Sequence, residues 1–458
     1  MPDIISQHSS SFKDRSGFIF RHNNQYYRCI HSIYLDHYKL LLQSGLYDRL
    51  IKRNWLINHD EIIDDPQLSS PGDLFILPRQ IPVITYPYEW SFTMWQDAAL
   101  LTLHIAKESI ESGMILKDAT PFNVQFVNGK PLFIDTLSFE KYAEQTPWIA
   151  YRQFCECFLA PLLLQQYCHV ETGKMFMLYP GGIPLDLLIS LLPKKAGWNI
   201  NTYLHIYLQA TIKDRKGKSK AEHSNSFSKQ KMLILLNGLS GYVSKLKAKK
   251  SKTTWDDYYA SNILSHQYLS EKTRLVKGFL TGFQFTTMID LGANNGHFSL
   301  LYKNTSKEII AMDSDANCID ALYQQVRKEN ITNILPILNT LHNPSPAIGW
   351  NNEERASTHD RIKAEVVLAL ALVHHLAIGE NIPLAFIARW LAALGKYIVV
   401  EFVPKADEKV QLLLQHREDI FHDYTLQGFK EAFSKKFTPI RQETIMGTGR
   451  VLFLMQRI

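Results

Sequence analysis

Cysteine is scarce in this chain of 458 residues, and its five copies are poorly placed for cross-linking. Cys29, Cys155, Cys157, Cys168 and Cys318 are odd in number and contain no Cys-x-x-Cys pair. That predicts reduced thiols, with neither a disulfide frame nor a zinc site. Long apolar runs are also missing. No stretch approaches the ~20 uncharged apolar residues of a membrane span, and residues 183–192 and 366–378 are interrupted by Asp186 and by His374-His375. The polar N-terminus offers no apolar signal region. Together these absences predict a cytoplasmic protein without a transmembrane segment.

The net positive charge is concentrated in one place. Between Lys213 and Lys252 twelve lysines and arginines face only Asp214 and Glu222, so the net charge of +6 belongs to this segment and the remaining chain is net acidic. Few apolar residues occur there before Met232, which predicts a mobile linker. Such a run is either simply solvated or a tether to an anionic glycolipid, a membrane surface or RNA. Both readings stay open, and nucleic acid is not excluded.

A hydrophobic content of 46% with 12% aromatics suits a globular enzyme, and the length exceeds one core. The expected division is 1–212, a basic linker with a connecting helix over 213–254, and 255–458. In the first part, Phe18–Phe20 and Tyr26–Arg28 read as a hairpin, Ile33 to Ile51 as a helix, and Leu74–Leu77 and Val83–Thr85 as strands. Trp90 to Ser109 reads as a long helix, followed by a hairpin turning at Asn128-Gly129. In the last part, strands ending near Leu291, Asp313, Leu338, Leu372 and Phe402 alternate with helical patterns, and a final hairpin closes a seven-stranded mixed sheet.

Residues 288–297, Met-Ile-Asp-Leu-Gly-Ala-Asn-Asn-Gly-His, carry the strongest functional signal. A buried strand feeding a glycine turn and then a helix is how α/β sheets build a nucleotide pocket at their carboxyl edge. Asp313, closing the next strand, stands where an acid receives two ribose hydroxyls. This stretch resembles the class I S-adenosylmethionine-dependent methyltransferases, a likeness covering Trp255 to the C-terminus. The resemblance implies a Rossmann-like domain in which Asp290, Gly292, Asn294 and Gly296 surround the methionine part of S-adenosylmethionine, with Asp313 on the ribose and His297 among the cofactor-binding residues. The fourth strand runs into His374-His375, where an imidazole can take the proton of an attacking hydroxyl. Glu401, near the end of the fifth strand, is expected to orient one imidazole or touch the acceptor. Leu370 to Phe429 further resembles methyltransferases related to host-specificity nodulation proteins and surface-polysaccharide loci. That implies a glycan, glycoconjugate or small-metabolite acceptor.

Lys117-Asp118 and Asn123, then Asp135 on the following hairpin, form a second constellation. Asp-x4-Asn followed by Asp is how kinases place a base and two magnesium ligands. The first domain thus resembles the aminoglycoside-phosphotransferase branch of the kinase-like fold, an α+β domain. The likeness implies Asp118 as base and Asn123 and Asp135 as the metal ligands of Mg-ATP. It departs from that branch in Lys117, in lacking a glycine-rich phosphate loop, and in carrying Arg28 where a strand lysine is usual. The leading reading is an O-methylating enzyme with a kinase-like accessory domain. Three others stay open: a bifunctional kinase–methyltransferase capping a polysaccharide, an RNA methyltransferase guided by the basic linker, and a non-catalytic scaffold.

Overall fold

The computed structural model describes residues 7–62, 68, 72–215, 227–249, 266–415 and 417–458. Most of the lysine-rich core of the basic segment (216–226) and the Trp255–Tyr259 approach lie outside the described residues. Two compact units are present: Met1–Ser251 with Ala347–Ala356, and Lys252–Pro346 with Ser357–Ile458. Among the described residues no helix is long and apolar enough to cross a membrane.

The first unit begins with a four-stranded antiparallel sheet, β1 (Gly17–His22), β2 (Gln25–Ile30), β3 (His59–Ile62) and β4 (Leu74–Pro78), in the order β1-β2-β4-β3. Asn23 and Asn24 both take positive φ in the β1–β2 turn, the geometry that follows the twist of a two-residue hairpin. The helix expected over 33–51 is two helices, Leu35–Gln43 and Leu46–Lys52. Gly45 at φ 67° stops one and starts the other. The strand expected at Val83–Thr85 does not form. The backbone N–H of Thr85 donates to Gln125 Oε1 (2.8 Å) and its carbonyl accepts from Gln125 Nε2 (2.9 Å), so one buried side chain supplies what a neighbouring strand would have.

The Phe92–Glu111 helix follows, ending at Gly113 (φ 75°). Next come β5 (Met114–Leu116), β6 (Val124–Val127), β7 (Lys130–Phe133) and β8 (Phe139–Lys141), with β5 pairing β8 and β6 pairing β7. The Lys229–Val243 helix packs along the Phe92–Glu111 helix, and Gln96 Nε2 donates to the carbonyls of Val243 and Leu246. Residues 347–356 belong to this unit too. There Arg355 lies 4.4 Å over the Phe122 ring, and the Ala356 N–H donates to Tyr86 Oη (3.0 Å).

The second unit is a doubly wound sheet. Its strands are β9 (Thr287–Leu291), β10 (Glu308–Asp313), β11 (Ile334–Leu338), β12 (Ala364–Ala369), β13 (Gly395–Phe402), β14 (Phe437–Thr444) and β15 (Val451–Arg457). The order is β11-β10-β9-β12-β13-β15-β14, parallel through the first five and antiparallel at β15 and β14. The central strands are buried on both faces, so they read as unbroken apolar runs with no alternation. The order reverses beside β9, and ligands bind at such a switch point beyond the strand ends. β12 stops at Ala369, short of the expected Leu372. Ala371 takes φ 51°, a left-handed conformation costly for a residue with a Cβ, and the chain leaves the sheet there.

Candidate functional site

The turn after β9 is built from backbone geometry that its residue types permit. Gly292 (φ 72°), Asn294 (φ 52°) and Gly296 (φ 83°) all take left-handed φ. A Cβ on Gly296 would fall 2.5 Å from Leu322 Cδ1, a side chain fully buried in the core, so only glycine fits on both counts. The N–H groups of Gly292 and Ala293 donate to the Met312 carbonyl, tying the turn to β10.

Asp313 holds this turn from the side. Its Oδ2 accepts the Asn294 N–H at 2.7 Å and its Oδ1 accepts the Asp315 N–H at 2.9 Å. A carboxylate has about four lone-pair positions, so capacity remains for a ligand hydroxyl. Asp290 is buried and accepts Ser299 Oγ at 2.7 Å. Burial pushes its carboxyl up to about 6, against the Ser299 hydrogen bond and with a further push from Asp313. His297 starts the Ala-free first turn of the next helix, His297–Leu300, and its Nε2 lies 3.0 Å from Thr273 Oγ1.

Two residues that sequence reasoning missed complete this edge. Asp315 caps the Ala316–Lys328 helix through Oδ1, while its Oδ2 is buried with no hydrogen-bond partner among the described residues. Asn339 follows β11 directly; its N–H donates to the Asp313 carbonyl, its Nδ2 donates to Thr358 Oγ1, and its Oδ1 is likewise buried without a partner. Orphaned buried acceptors are costly and mark places where a ligand donor belongs. The signal was a polar residue just past each strand end. These acceptors, with Asp313, suit an adenosine, which offers ribose hydroxyls and an amino group as donors.

The expected catalytic residues fare differently. His374 is fully buried, and neither ring nitrogen makes a hydrogen bond among the described residues. Burial, with the neighbouring His375 and Arg450, holds its pKa well below the usual imidazole range. His375 packs against it, ring centroids 4.1 Å apart, and retains partial exposure. Burial, then Lys409 and Arg450, brings the His375 pKa down to about 4. Both imidazoles are therefore neutral at pH 7.

Glu401 orients neither imidazole. It is fully buried and its oxygens accept from Tyr268 Oη (2.9 Å), Lys272 Nζ (2.6 Å), Arg450 (3.4 Å) and the Ala371 N–H (2.8 Å). Arg450 in turn makes a bidentate pair with Asp407 (2.7 and 2.9 Å). Burial alone would raise the Glu401 pKa, but Lys272 and Arg450 outweigh it and hold the carboxylate ionised. The acid expected at the acceptor is thus the hub of a structural ion cluster, and it fixes the left-handed Ala371 just upstream of the histidines. An open groove of about 460 Å³, which neither of those histidines lines, is bounded by Leu341, His342, Leu376, Phe386 and Trp390 among others.

In the first unit, Asp118 follows β5 and Asp135 precedes β8, so the β5–β8 pairing brings both loops to one end. Asn123 Nδ2 reaches Asp135 Oδ2 (3.4 Å) and Ser138 Oγ (3.2 Å). Burial, then Asp135, raises the Asp118 pKa. The three residues converge, with one difference from the expected metal gap. Arg28 places its guanidinium on Asp135 (2.7 Å) and Asp14 (2.6 Å), so a fixed cation already answers the carboxylate that would hold magnesium.

Strand order and turn together define a Rossmann-like domain built on a seven-stranded mixed sheet. No family model matches the chain. Over 464 residues it is 32% identical to the nodulation protein NoeA of Rhizobium meliloti (strain 1021), across 98% of this chain and 96% of that protein. The chain belongs to the family of that nodulation protein. Similar solved structures include the N-methyltransferase NodS from Bradyrhizobium japonicum WM9, at 9% identity over 42% of this chain and 98% of that one, TM-score 0.32. Another is the bifunctional kinase-methyltransferase WbdD, at 13% identity over 47% of this chain and 45% of that one, TM-score 0.30. These superpositions are too loose to bear on activity, and the fold rests on the strand order.

Proposed function

We propose that the chain is an S-adenosylmethionine-dependent methyltransferase whose acceptor is an oxygen of a glycan, glycoconjugate or small metabolite. The observation that carries this is the clasp of Asp313 on the Asn294 N–H, flanked by the orphaned acceptors of Asp315 and Asn339. When bound, S-adenosylmethionine supplies an activated methyl group. Asp313, Asp315 and Asn339 bind and orient the nucleoside; Asp290 offers a carboxylate to the amino-acid end. The chain's remaining task is alignment of the acceptor and removal of its proton. His375, neutral and partly exposed, is the residue for that, with His374 packed behind it. The resemblance of the Leu370–Phe429 run to methyltransferases of surface-polysaccharide loci favours a glycoconjugate over RNA.

Calorimetry with S-adenosylmethionine tests the reading. Asp313→Ala removes charge-assisted hydrogen bonds worth about 1.5–3 kcal/mol each and also frees the turn, so affinity should fall at least about 10-fold. Binding to the wild type should weaken as pH drops through about 6, where Asp290 takes up a proton and ceases to attract an ammonium group. No binding by the wild type, or equal binding by Asp313→Ala, defeats the assignment.

A second reading concerns the first unit, favoured by the convergence of Asp118, Asn123 and Asp135 below a β1-β2-β4-β3 sheet. We infer a kinase-like domain that has given up phosphoryl transfer, Arg28 standing in for the metal. A thermal-shift titration should show no stabilisation by magnesium beyond that of nucleotide alone, with Asp135→Ala indifferent to magnesium. Mg-dependent stabilisation lost in Asp135→Ala, or labelled phosphate on a cellular glycan lost in Asp118→Ala, would restore an active kinase.

A further inference from the structure

The sheet of the first unit brings together three side chains that the proposed chemistry does not use. Cys29, near the end of β2, and His31 are two residues apart and so share one side of the strand. Asp73 immediately precedes β4, whose Leu74 pairs with Ile30. Their ligand atoms are mutually close: His31 Nδ1 to Asp73 Oδ2 is 3.3 Å, Cys29 Sγ to Asp73 Oδ2 is 3.7 Å, and Cys29 Sγ to His31 Nδ1 is 3.9 Å.

Those three distances have a physical meaning. Bond lengths of about 2.3 Å to sulfur and about 2.0–2.1 Å to nitrogen and oxygen, set at tetrahedral angles, require ligand–ligand edges of about 3.3–3.6 Å. The observed triangle meets the shortest edge and exceeds the others by a few tenths of an ångström. An ordinary His–Asp pair needs no thiol within 4 Å of both partners. The outer surroundings also fit. Asp73 Oδ1 accepts the Ser32 N–H at 3.1 Å, which orients the carboxylate as second-layer contacts orient metal ligands. The Cys29 thiol is buried with Phe20 and Phe75, the Phe18 ring lies 5.6 Å from His31, and the His31 side chain is 36% exposed, leaving an entry path.

We propose that Cys29, His31 and Asp73 bind a zinc-class divalent cation. A thiolate, an imidazole and a carboxylate together select zinc over magnesium or calcium, which take oxygen ligands alone. Three protein ligands leave the fourth position to water. On binding, the sulfur–metal bond replaces the S–H bond and the proton goes to solvent. His31 coordinates through the Nδ1 lone pair. Because the thiol must release its proton for the sulfur to bind, metal binding releases a proton and should strengthen as pH rises. The cation would pin β2 to β4, and with them Arg28, the neighbour of Cys29. The low cysteine count had predicted no zinc site; the ligand set escaped because Asp73 lies 42 residues from His31.

The full chain, stripped by a chelator and titrated with zinc against a chromophoric competitor, should bind one equivalent that depends on these residues. Cobalt(II) in place of zinc should give the visible bands of a tetrahedral ion and a thiolate-to-metal charge-transfer band. His31→Gln, a change at a half-exposed ring that leaves the fold in place, should weaken binding by at least about 10-fold, as even outer-layer changes do. Asp73→Asn should do likewise, and Cys29→Ser should abolish the charge-transfer band. Folded wild-type protein without that band overturns the proposal. So does binding that is undiminished in His31→Gln and Asp73→Asn, which would put the metal elsewhere.

Discussion

Glu401→Ala is expected to destabilise the second unit by about 3–5 kcal/mol, the cost of leaving buried charge uncompensated. Lys272 and Arg450 are 2% and 1% exposed, and Glu401 is the carboxylate that Lys272 reaches at 2.6 Å. Arg450 keeps Asp407; among the described residues Lys272 keeps no carboxylate within ion-pairing distance. The Ala371 N–H loses its acceptor as well, so the left-handed residue ahead of the histidines is no longer held. Urea denaturation at pH 7 measures this. Removing both partners should be milder, because the stranded charge goes too, and Lys272→Met in the Glu401→Gln background should recover part of the loss. The pH dependence has a definite sign. The folded pKa of Glu401 is lowered, so its contribution is complete above the unfolded value of about 4.3 and disappears as pH falls through the folded value. Wild-type protein should therefore show an acid-side loss of stability that Glu401 variants lack. A Glu401→Ala protein within 1 kcal/mol, roughly the effect of an average substitution, would show that the cluster does not hold the fold.

His375→Ala is expected to lower turnover on the true acceptor by about 10²–10⁴-fold, the usual contribution of a positioned base, with affinity for S-adenosylmethionine nearly intact. His374→Ala should behave differently. Its ring is fully buried, so the change opens a cavity and shows first as lost stability. Because the His375 pKa is brought down to about 4, the imidazole stays neutral across the working range. The rate should be flat with pH in its acid limb until about pH 5 and fall below that as the base protonates. Equal rates for wild type and His375→Ala would remove the histidine from the chemistry. A rate lost equally in both variants, with both folded, would mean that the two rings act as one unit.

The sequence alone was enough for features that depend on neighbours along the chain. The Asn23-Asn24 and Asn128-Gly129 hairpins, the Phe92–Glu111 helix and the turn at Gly292, Asn294 and Gly296 were all legible, because small or amide side chains at fixed offsets are what left-handed φ demands. The parallel strands were legible too, since burial on both faces leaves unbroken apolar runs. What only the tertiary structure decided were the partners of charged and polar groups far apart in sequence. Glu401 was expected at an acceptor, yet Tyr268, Lys272 and Arg450 approach from a helix before β9 and from the final hairpin and make it structural. Val83–Thr85 has strand-forming residues, but Gln125 takes its hydrogen bonds. Arg28 looked like a weak lysine substitute until Asp14 and Asp135 were seen to share it. Desolvation and ion pairing act through space, and a buried charge is assigned its role by whichever opposite charge the fold brings within about 3 Å.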